Sequence, residues 1–565
     1  MRIESTPNAS DRKKRSLRPI PLDDSVWANA KARWSRHVLL ADPVDDSITE
    51  GIAHIDLATR QICLNSAIIE EKGLADCVEG LLAHEIGHHV RYPGSLAVAA
   101  RMRLLEQTLV PIENYSLINL FTDLMINERL GVTLKDQLIR LYKVLGGGLS
   151  FDLDPAFFFY LTVYEELWQL EPGELLGDAR RQLEESYPGY RAEASILSQD
   201  LFNLGPNVYT QFIYFVSIVS RYIKPLTGES PLSQDPHKCG HGMPSPDDWA
   251  GALTPGAREI EAVKRALQKG WISPEQAERM TGKTALLRRI AGLPGNQSLN
   301  AEMVPEIMAA YYRQQAERFL LRPPPQRLVG ESVVPTNLEP WEIGDPVGDI
   351  DWLSTLIRKG PDLGSVEPFK PIRVAEFEGY DVPMWRPKIE IYLDVSGSMP
   401  DPRTTRNAMT LAAQILTAGA IRAGGSVRAL VYSADSVSYW QWCRSELEIS
   451  RFLMHYIGGG TSFPFSILEQ SLAECAGSQP IRAIISDRDF DANYNSDQRN
   501  RTILFDAGRL SQQFILLLHQ PNPDACSEYE RARARVVPIE DFEDFPRMAG
   551  DVTRALFTEQ RYADF

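Results

Sequence analysis

Hydrophobic positions along this chain follow two rhythms. Between about residues 25 and 230 they recur mainly at helical spacing. One stretch breaks the pattern: "GIAHIDLATRQICLN" alternates, and predicts a strand pair turning near Ala58–Thr59–Arg60. A helix is predicted from about Asp76 to the stop at Pro93–Gly94, and another from about Ile112 to Leu130, stopped at Gly131. "DPAFFFYLTVYEELW" and "VYTQFIYFVSIVSRYI" are apolar nearly all round and predict buried core helices. The second is shorter than the ~20 residues a membrane span needs, and it contains Arg221. No membrane span is expected.

After a loop-like stretch, helical spacing returns in "TPGAREIEAVKRALQKG", "SPEQAERMTGKTALLRRIAG" and "MVPEIMAAYYRQQAERFL", which "RPPPQ" ends. An irregular connection rich in Pro and Gly then leads to about Pro387. Beyond it the rhythm changes. "KIEIYLDV", "VRALVYS", "IRAIISD", "FILLLHQ" and "ARVVPI" are short strand-like runs. Helical segments lie between them: Arg403 to Arg422, "LEISRFLMHYI" and "FSILEQSLAECA". Continuous apolar strands alternating with helices predict a parallel sheet covered on both faces, a doubly wound α/β domain.

At roughly 100–200 residues per domain, 565 residues suggest about three domains. The expected division is a solvated basic tail (1–22), a mostly helical α+β domain (23–235), a helical and irregular connector (236–386) and the α/β domain (387–565). A formal net charge of −16 argues against general nucleic-acid binding, which wants a basic face. The six cysteines are scattered without a CxxC pair, as expected of reduced thiols in a cytoplasmic protein. The N-terminal stretch has no apolar core of a signal peptide. No GxxxxGK[ST] loop is present, so the chain is not itself expected to be an ATPase.

Three of the nine histidines fall in "LLAHEIGHHV". On a helix, positions i and i+4 share a face, so His84 and His88 can chelate one ion. Glu85 lies beside them as a general base for a water at the metal, the arrangement of the HExxH motif. His89 points elsewhere and is not expected to be a ligand. Catalytic zinc takes three protein ligands and keeps one position open. The next helix, "INLFTDLMINERL", carries Asn119, Asp123 and Asn127 as a polar stripe on an otherwise apolar surface. Asp123 is the first choice for the third ligand, with Glu128 or Glu113 as alternatives. The loop "HKCGH" adds His237, Cys239 and His241: a second metal site, a cap over the first, or incidental residues of a connection.

These two helices resemble the gluzincin class of metallopeptidases, in which an acidic residue on a following helix is the third zinc ligand. The similarity is closest to bacterial metallopeptidases with an aspartate–asparagine helix that end in a von Willebrand A-like domain. This chain departs from the usual Asn-Glu pairing, since Leu120 follows Asn119. The resemblance implies a zincin-like fold for the core of the first domain and hydrolysis of peptide bonds in a protein or peptide substrate.

A second motif ends the strand "KIEIYLDV": Asp394-Val395-Ser396-Gly397-Ser398. "GGGTSF" later supplies Thr461, and "IRAIISD" delivers Asp487 at the carboxyl end of a strand, where open α/β sheets place their ligands. Together these resemble the metal-ion-dependent adhesion site of von Willebrand A domains. The resemblance implies that Ser396, Ser398 and Thr461 offer hydroxyls to Mg²⁺ and that Asp394 and Asp487 assist. All are oxygen donors, as a hard cation prefers. Arg488–Asp489 stands where the family often has Gly, which leaves open which carboxylate faces the metal. Upstream, "WEIGDPVGDIDWLSTL" (Gly344, Asp345, Asp349, Asp351, Trp352) resembles a segment of bacterial proteins that work with MoxR-type AAA+ ATPases. The bland alternative is a tethering loop packed on the A domain.

The leading expectation is a Zn²⁺ metallopeptidase whose Mg²⁺-binding A domain recruits such an ATPase. The alternatives are a non-catalytic adaptor or chaperone cofactor of an AAA+ ATPase built on a zincin scaffold, and a chelatase-like subunit, which would need the A domain but not Glu85.

Overall fold

The computed structural model describes residues 18–19, 23–35, 37–46, 51–110, 116–146, 154–224, 242–293, 303–320, 334–359, 368–374, 386–475 and 479–558. Glu113, His237, Cys239, His241 and most of the basic tail lie outside these residues. The protein is multidomain and mostly helical, with one mixed six-stranded sheet.

The N-terminal part holds four short strands: β1 (Arg18–Pro19), β2 (Val44–Asp45), β3 (Ala53–Asp56) and β4 (Gln61–Leu64). Their order is β1-β2-β4-β3, so β3, like β1, is an edge strand among the described residues. The β3–β4 hairpin turns where the sequence placed it. Asp56 Oδ1 accepts from Ala58 N at 2.8 Å, and Arg60 takes the left-handed φ of 60°. Ile55 and Ile62 pair across the hairpin and enter the helical core.

That core is built from α1 (Asp24–Ala32), α2 (Ser66–Glu71), α3 (Val78–Val90), α4 (Leu96–Leu109), α5 (Leu117–Gly146), α6 (Pro155–Trp168), α7 (Ala179–Ser186), α8 (Tyr190–Asp200) and α9 (Val208–Val219). The two segments apolar all round, α6 and α9, are buried core helices. Among the described residues no helix is long and apolar enough to cross a membrane. The sequence reading of α5 needs correction. The helix does not stop at Gly131 but continues to Gly146, with non-helical angles at Leu134. Gly131 is there for space: a Cβ would stand 2.5 Å from Trp168 Nε1. Close approach of α6 selects the glycine, not a helix stop.

Helices α10 (Pro246–Leu253), α11 (Ala257–Gln268), α12 (Pro274–Thr281), α13 (Ala285–Ala291) and α14 (Met303–Ala316) follow. They do not form a core of their own. Ala262, Val263, Ala266 and Met280 of α11 and α12 join the N-terminal core. Residues of α10, α13 and α14, Trp249 and Tyr312 among them, join a second core with the C-terminal sheet. α4 contributes to both, through Met102 and Leu105 on one side and Ala100 and Leu104 on the other. Buried Glu259 lies at this junction, accepting from Arg289 Nη2 at 3.0 Å and from Arg101.

The stretch read as irregular contains structure: β5 (Val334–Pro340) pairs with β6 (Phe369–Val374), and α15 (Trp352–Lys359) lies between them in sequence and packs on β6. Few apolar positions alternate there, which hid the hairpin.

The C-terminal sheet comprises β7 (Lys388–Asp394), β8 (Ser426–Tyr432), β9 (Ser436–Cys443), β10 (Ile481–Ser486), β11 (Phe514–His519) and β12 (Ala534–Ile539) in the order β12-β11-β10-β7-β8-β9. All neighbours are parallel except β8 and β9. β9 was not anticipated: its mixed, partly exposed run "SVSYWQWC" suits an edge, not a strand buried on both faces. One face, with Ile389, Ile391 and Leu393, packs on α16 (Ala408–Arg422) and α22 (Phe545–Thr558). α17 (Glu446–Phe452) joins that side. The other face, with Tyr392, Leu430 and Ile484, packs on α18 (Phe465–Glu474), α19 (Asp489–Asn495), α20 (Gln498–Leu510) and α21 (Pro523–Arg531). α16 starts at Ala408 and not at Arg403, because Asn407 caps it, accepting from Met409 N at 2.9 Å.

Candidate metal centres

The structure brings His84, His88 and Asp123 together. The two imidazoles, one turn apart on α3, face each other with Nε2 atoms 3.1 Å apart. Asp123 Oδ1, from α5, stands 3.5 Å from His84 Nε2 and 3.3 Å from His88 Nε2. Gly87 makes this approach possible. A Cβ there would lie 2.6 Å from Trp34 Cζ2 and 2.7 Å from Ile126 Cγ2, so α3 and α5 could not close as they do.

The outer nitrogens of both rings are committed elsewhere. His88 Nδ1 is 2.8 Å from the Tyr92 carbonyl, which can only accept, so Nδ1 carries the proton. His84 Nδ1 is 2.8 Å from Asn127 Oδ1. The Asn127 Nδ2 donates to Tyr142 OH and Tyr164 OH, both at 2.9 Å, which turns its oxygen towards His84. In the neutral rings both Nε2 atoms are therefore bare lone pairs. Two imidazole nitrogens and a carboxylate therefore converge, a set that a proton or a cation holds together. Without a metal it is a proton. Burial works against the charged form of His84, but Asp123 and its hydrogen bond, with Glu85 and Asn127, carry it up to about 9. Burial would raise Asp123, but the two histidines hold its carboxyl well below the usual range.

The donor set fits zinc. Tetrahedral zinc with bonds of ~2.0–2.1 Å sets its ligand atoms about 3.3 Å apart. The three edges here, 3.1, 3.3 and 3.5 Å, bracket that value. Glu85 is adjacent and 6% exposed, and its Oε2 is buried with no hydrogen-bond partner among the described residues. All four groups line a cavity of about 280 Å³. Its other walls include Ile52, Ala53 and His54 at β3, and Leu81, Asn119 and Tyr142. Of the alternatives, Glu128 neither lines the cavity nor joins the cluster. His89 is outside it too.

Sequence reasoning missed the tyrosines behind Asn127. Tyr142, Tyr160 and Tyr164 form a buried hydroxyl network, Tyr142–Tyr164 at 2.9 Å and Tyr160–Tyr164 at 2.8 Å. Burial pushes all three phenols up. Tyr142 lies beyond the point where Gly131 was read as ending the helix, and no spacing links it to the histidines.

The second motif lies at the carboxyl ends of β7 and β10, neighbouring strands at the middle of the large sheet. Asp394 Oδ1 accepts from Ser396 N at 2.9 Å, and Oδ2 from Ser486 Oγ at 2.7 Å. Ser396 Oγ and Ser398 Oγ are 3.1 Å apart, and Ser398 donates to Asp487 Oδ2 at 3.0 Å. Four of the five expected residues therefore share one polar cluster. Thr461 arrives through its loop, which Gly397 N holds by donating to Gly459 O at 2.7 Å. Among the described residues no hydrogen bond joins its hydroxyl to the other four. Of the two neighbouring carboxylates, Asp487 faces the cluster, while Asp489 is exposed at the start of α19 and donates its N–H to Asp487 Oδ1 at 2.9 Å. Burial pushes the Asp394 carboxyl up. Oxygen donors around buried carboxylates suit a hard cation.

No family model and no curated protein matches the sequence. Among solved structures the chain is similar to a "von Willebrand factor type A from Catenulispora acidiphila", at 15% identity and a TM-score of 0.24. The likeness covers 30% of this chain and 42% of that one. At that TM-score it carries no weight beside the strand pairing already described.

Proposed function

We propose that this protein is a zinc-dependent metallopeptidase with a Mg²⁺-binding von Willebrand A-like domain that recruits a partner. One observation carries the reading: the Nε2 atoms of His84 and His88 and a carboxylate oxygen of Asp123 converge within 3.5 Å of one another, beside a buried carboxylate oxygen of Glu85 that has no hydrogen-bond partner among the described residues. His84, His88 and Asp123 would hold the zinc, which lowers the pKa of water and polarises a carbonyl. Glu85 takes the proton of the attacking water on its carboxylate and returns it to the leaving amine. Asn127 and the Tyr92 carbonyl hold both imidazoles with Nε2 turned towards Asp123.

The substrate reading is an extended peptide. β3 is an edge strand of its sheet among the described residues, and Ala53 and His54 line the cavity, so a peptide laid along β3 would pass the proposed ligands. Leu81, Leu138, Leu141 and Leu145 make much of the wall apolar, which favours an apolar side chain beside the scissile bond.

In the A-like domain, Asp394, Ser396, Ser398, Thr461 and Asp487 would hold Mg²⁺, with a carboxylate of the partner completing its shell. A MoxR-type AAA+ ATPase is the partner proposed. In support, the segment around α15 presents Ile343 (99% exposed), Leu353 (70%) and Ile357 (74%) to solvent, an apolar surface fit for a protein partner. Cleavage of casein and of short peptides, with zinc restored after chelation, tests the first half. Capture of the ATPase with Mg²⁺ and with EDTA tests the second, and capture unchanged in EDTA would contradict it.

A further inference from the structure

The four-stranded sheet has two faces. Ile55, Ile62 and Leu64 pack on the helical core. His54 and Cys63 pair directly across β3 and β4, so both turn to the opposite face. That face of a small antiparallel hairpin is ordinarily solvated. Here it is not. Cys63 is 7% exposed, and Asp46, which follows β2, is 4% exposed. Asp46 N donates to Leu64 O at 2.8 Å, which brings its side chain alongside. The carboxylate, imidazole and thiol ligand atoms all lie within 4.8 Å of one another. His54 Nδ1 is buried and makes no hydrogen bond among the described residues. Cys63 is not disulfide-bonded.

We propose that Asp46, His54 and Cys63 hold a second metal ion of the zinc class, which ties β2, β3 and β4 together on the face away from the core. The donor set selects the ion. Thiolate, imidazole and carboxylate together suit borderline-soft zinc, whereas Mg²⁺ and Ca²⁺ take oxygen donors. The same trio does not make a nucleophile and base, because Cys63 lines no part of the cavity that a substrate would enter. The site stands apart from the His84 centre in its ligands, yet His54 belongs to the cavity wall, so the ion would also fix the strand along which a peptide is proposed to lie.

The test uses the full chain, stripped by chelator and reloaded with Co²⁺ in an excess of Mg²⁺, which keeps the oxygen-donor centre of the A-like domain filled. The parent is expected to take up two ions and to show a near-ultraviolet thiolate-to-cobalt charge-transfer band. Cys63→Ser should bind one ion and lose the band. His84→Ala should bind one ion and keep it, which separates this site from the first. His54→Gln, a change at a half-buried position, gives the same readout should Cys63→Ser fail to fold. A parent that binds one ion and shows no band would overturn the proposal while leaving the His84 centre standing. A band that survives both Cys63→Ser and His54→Gln would overturn it as well.

Discussion

Asn127 Oδ1 stands 2.8 Å from His84 Nδ1, and two tyrosine hydroxyls fix which way that amide points. The amide thus decides which nitrogen of His84 is free. Partners behind metal-binding histidines typically contribute 10–100-fold in affinity. Asn127→Ala should weaken zinc binding by that factor, measured by competition with a chromophoric chelator. Unchanged affinity would mean that His84 is oriented without it.

Gly87 sets the distance between α3 and α5. A methyl group there meets Trp34 and Ile126 at 2.6 and 2.7 Å, too close to be absorbed without movement. Gly87→Ala is expected to destabilise the fold by about 1–3 kcal/mol, the usual cost of overpacking. Zinc affinity should fall with it, since Asp123 lies on the displaced helix. Thermal unfolding with and without zinc measures both.

The serines of the second centre are expected to matter only when Mg²⁺ is present. Mg²⁺ at about 100 times its Kd should stabilise the parent by about 2.7 kcal/mol. The double variant Ser396→Ala, Ser398→Ala should lose that increment and keep the α/β domain folded in EDTA. An equal Mg²⁺ shift in both proteins would place the cation elsewhere.

At the other end of the same strands, Glu390 is 1% exposed between two guanidinium groups, Arg428 Nη2 at 2.6 Å and Arg482 Nε at 2.9 Å. Removing one member of a buried pair leaves an uncompensated charge and costs about 3–5 kcal/mol. Glu390→Gln should therefore lower the stability of the C-terminal domain by roughly that amount in a denaturant titration, with no effect on zinc content.

What could be read from the sequence was local. The i, i+4 spacing of His84 and His88 and the polar stripe of Asn119, Asp123 and Asn127 are helix-face properties, and α3 and α5 keep them. The doubly wound sheet was legible because strands buried on both faces are continuous apolar runs. β9 was not legible, because an edge strand has no such run. Gly131 misled because a glycine needed for space beside Trp168 looks like a helix stop. Tyr142, Tyr164 and the Asp46, His54, Cys63 cluster were invisible for another reason. Their meeting depends on tertiary packing and cross-strand register, which no short spacing encodes.

Glu85 carries the central claim. It lies in the cavity with the three proposed ligands but outside their cluster, so its loss should separate catalysis from metal binding. Glu85→Gln is expected to keep the fold and the zinc bound at the His84 centre, and to lose peptide cleavage by at least the 10²–10⁴-fold that general-base catalysis contributes. His84→Ala should lose that zinc and activity together. Metal analysis beside a peptide-cleavage assay measures both. Cleavage by Glu85→Gln at the parent rate, or a parent that binds no zinc, would contradict the metallopeptidase reading and leave the non-catalytic adaptor in its place.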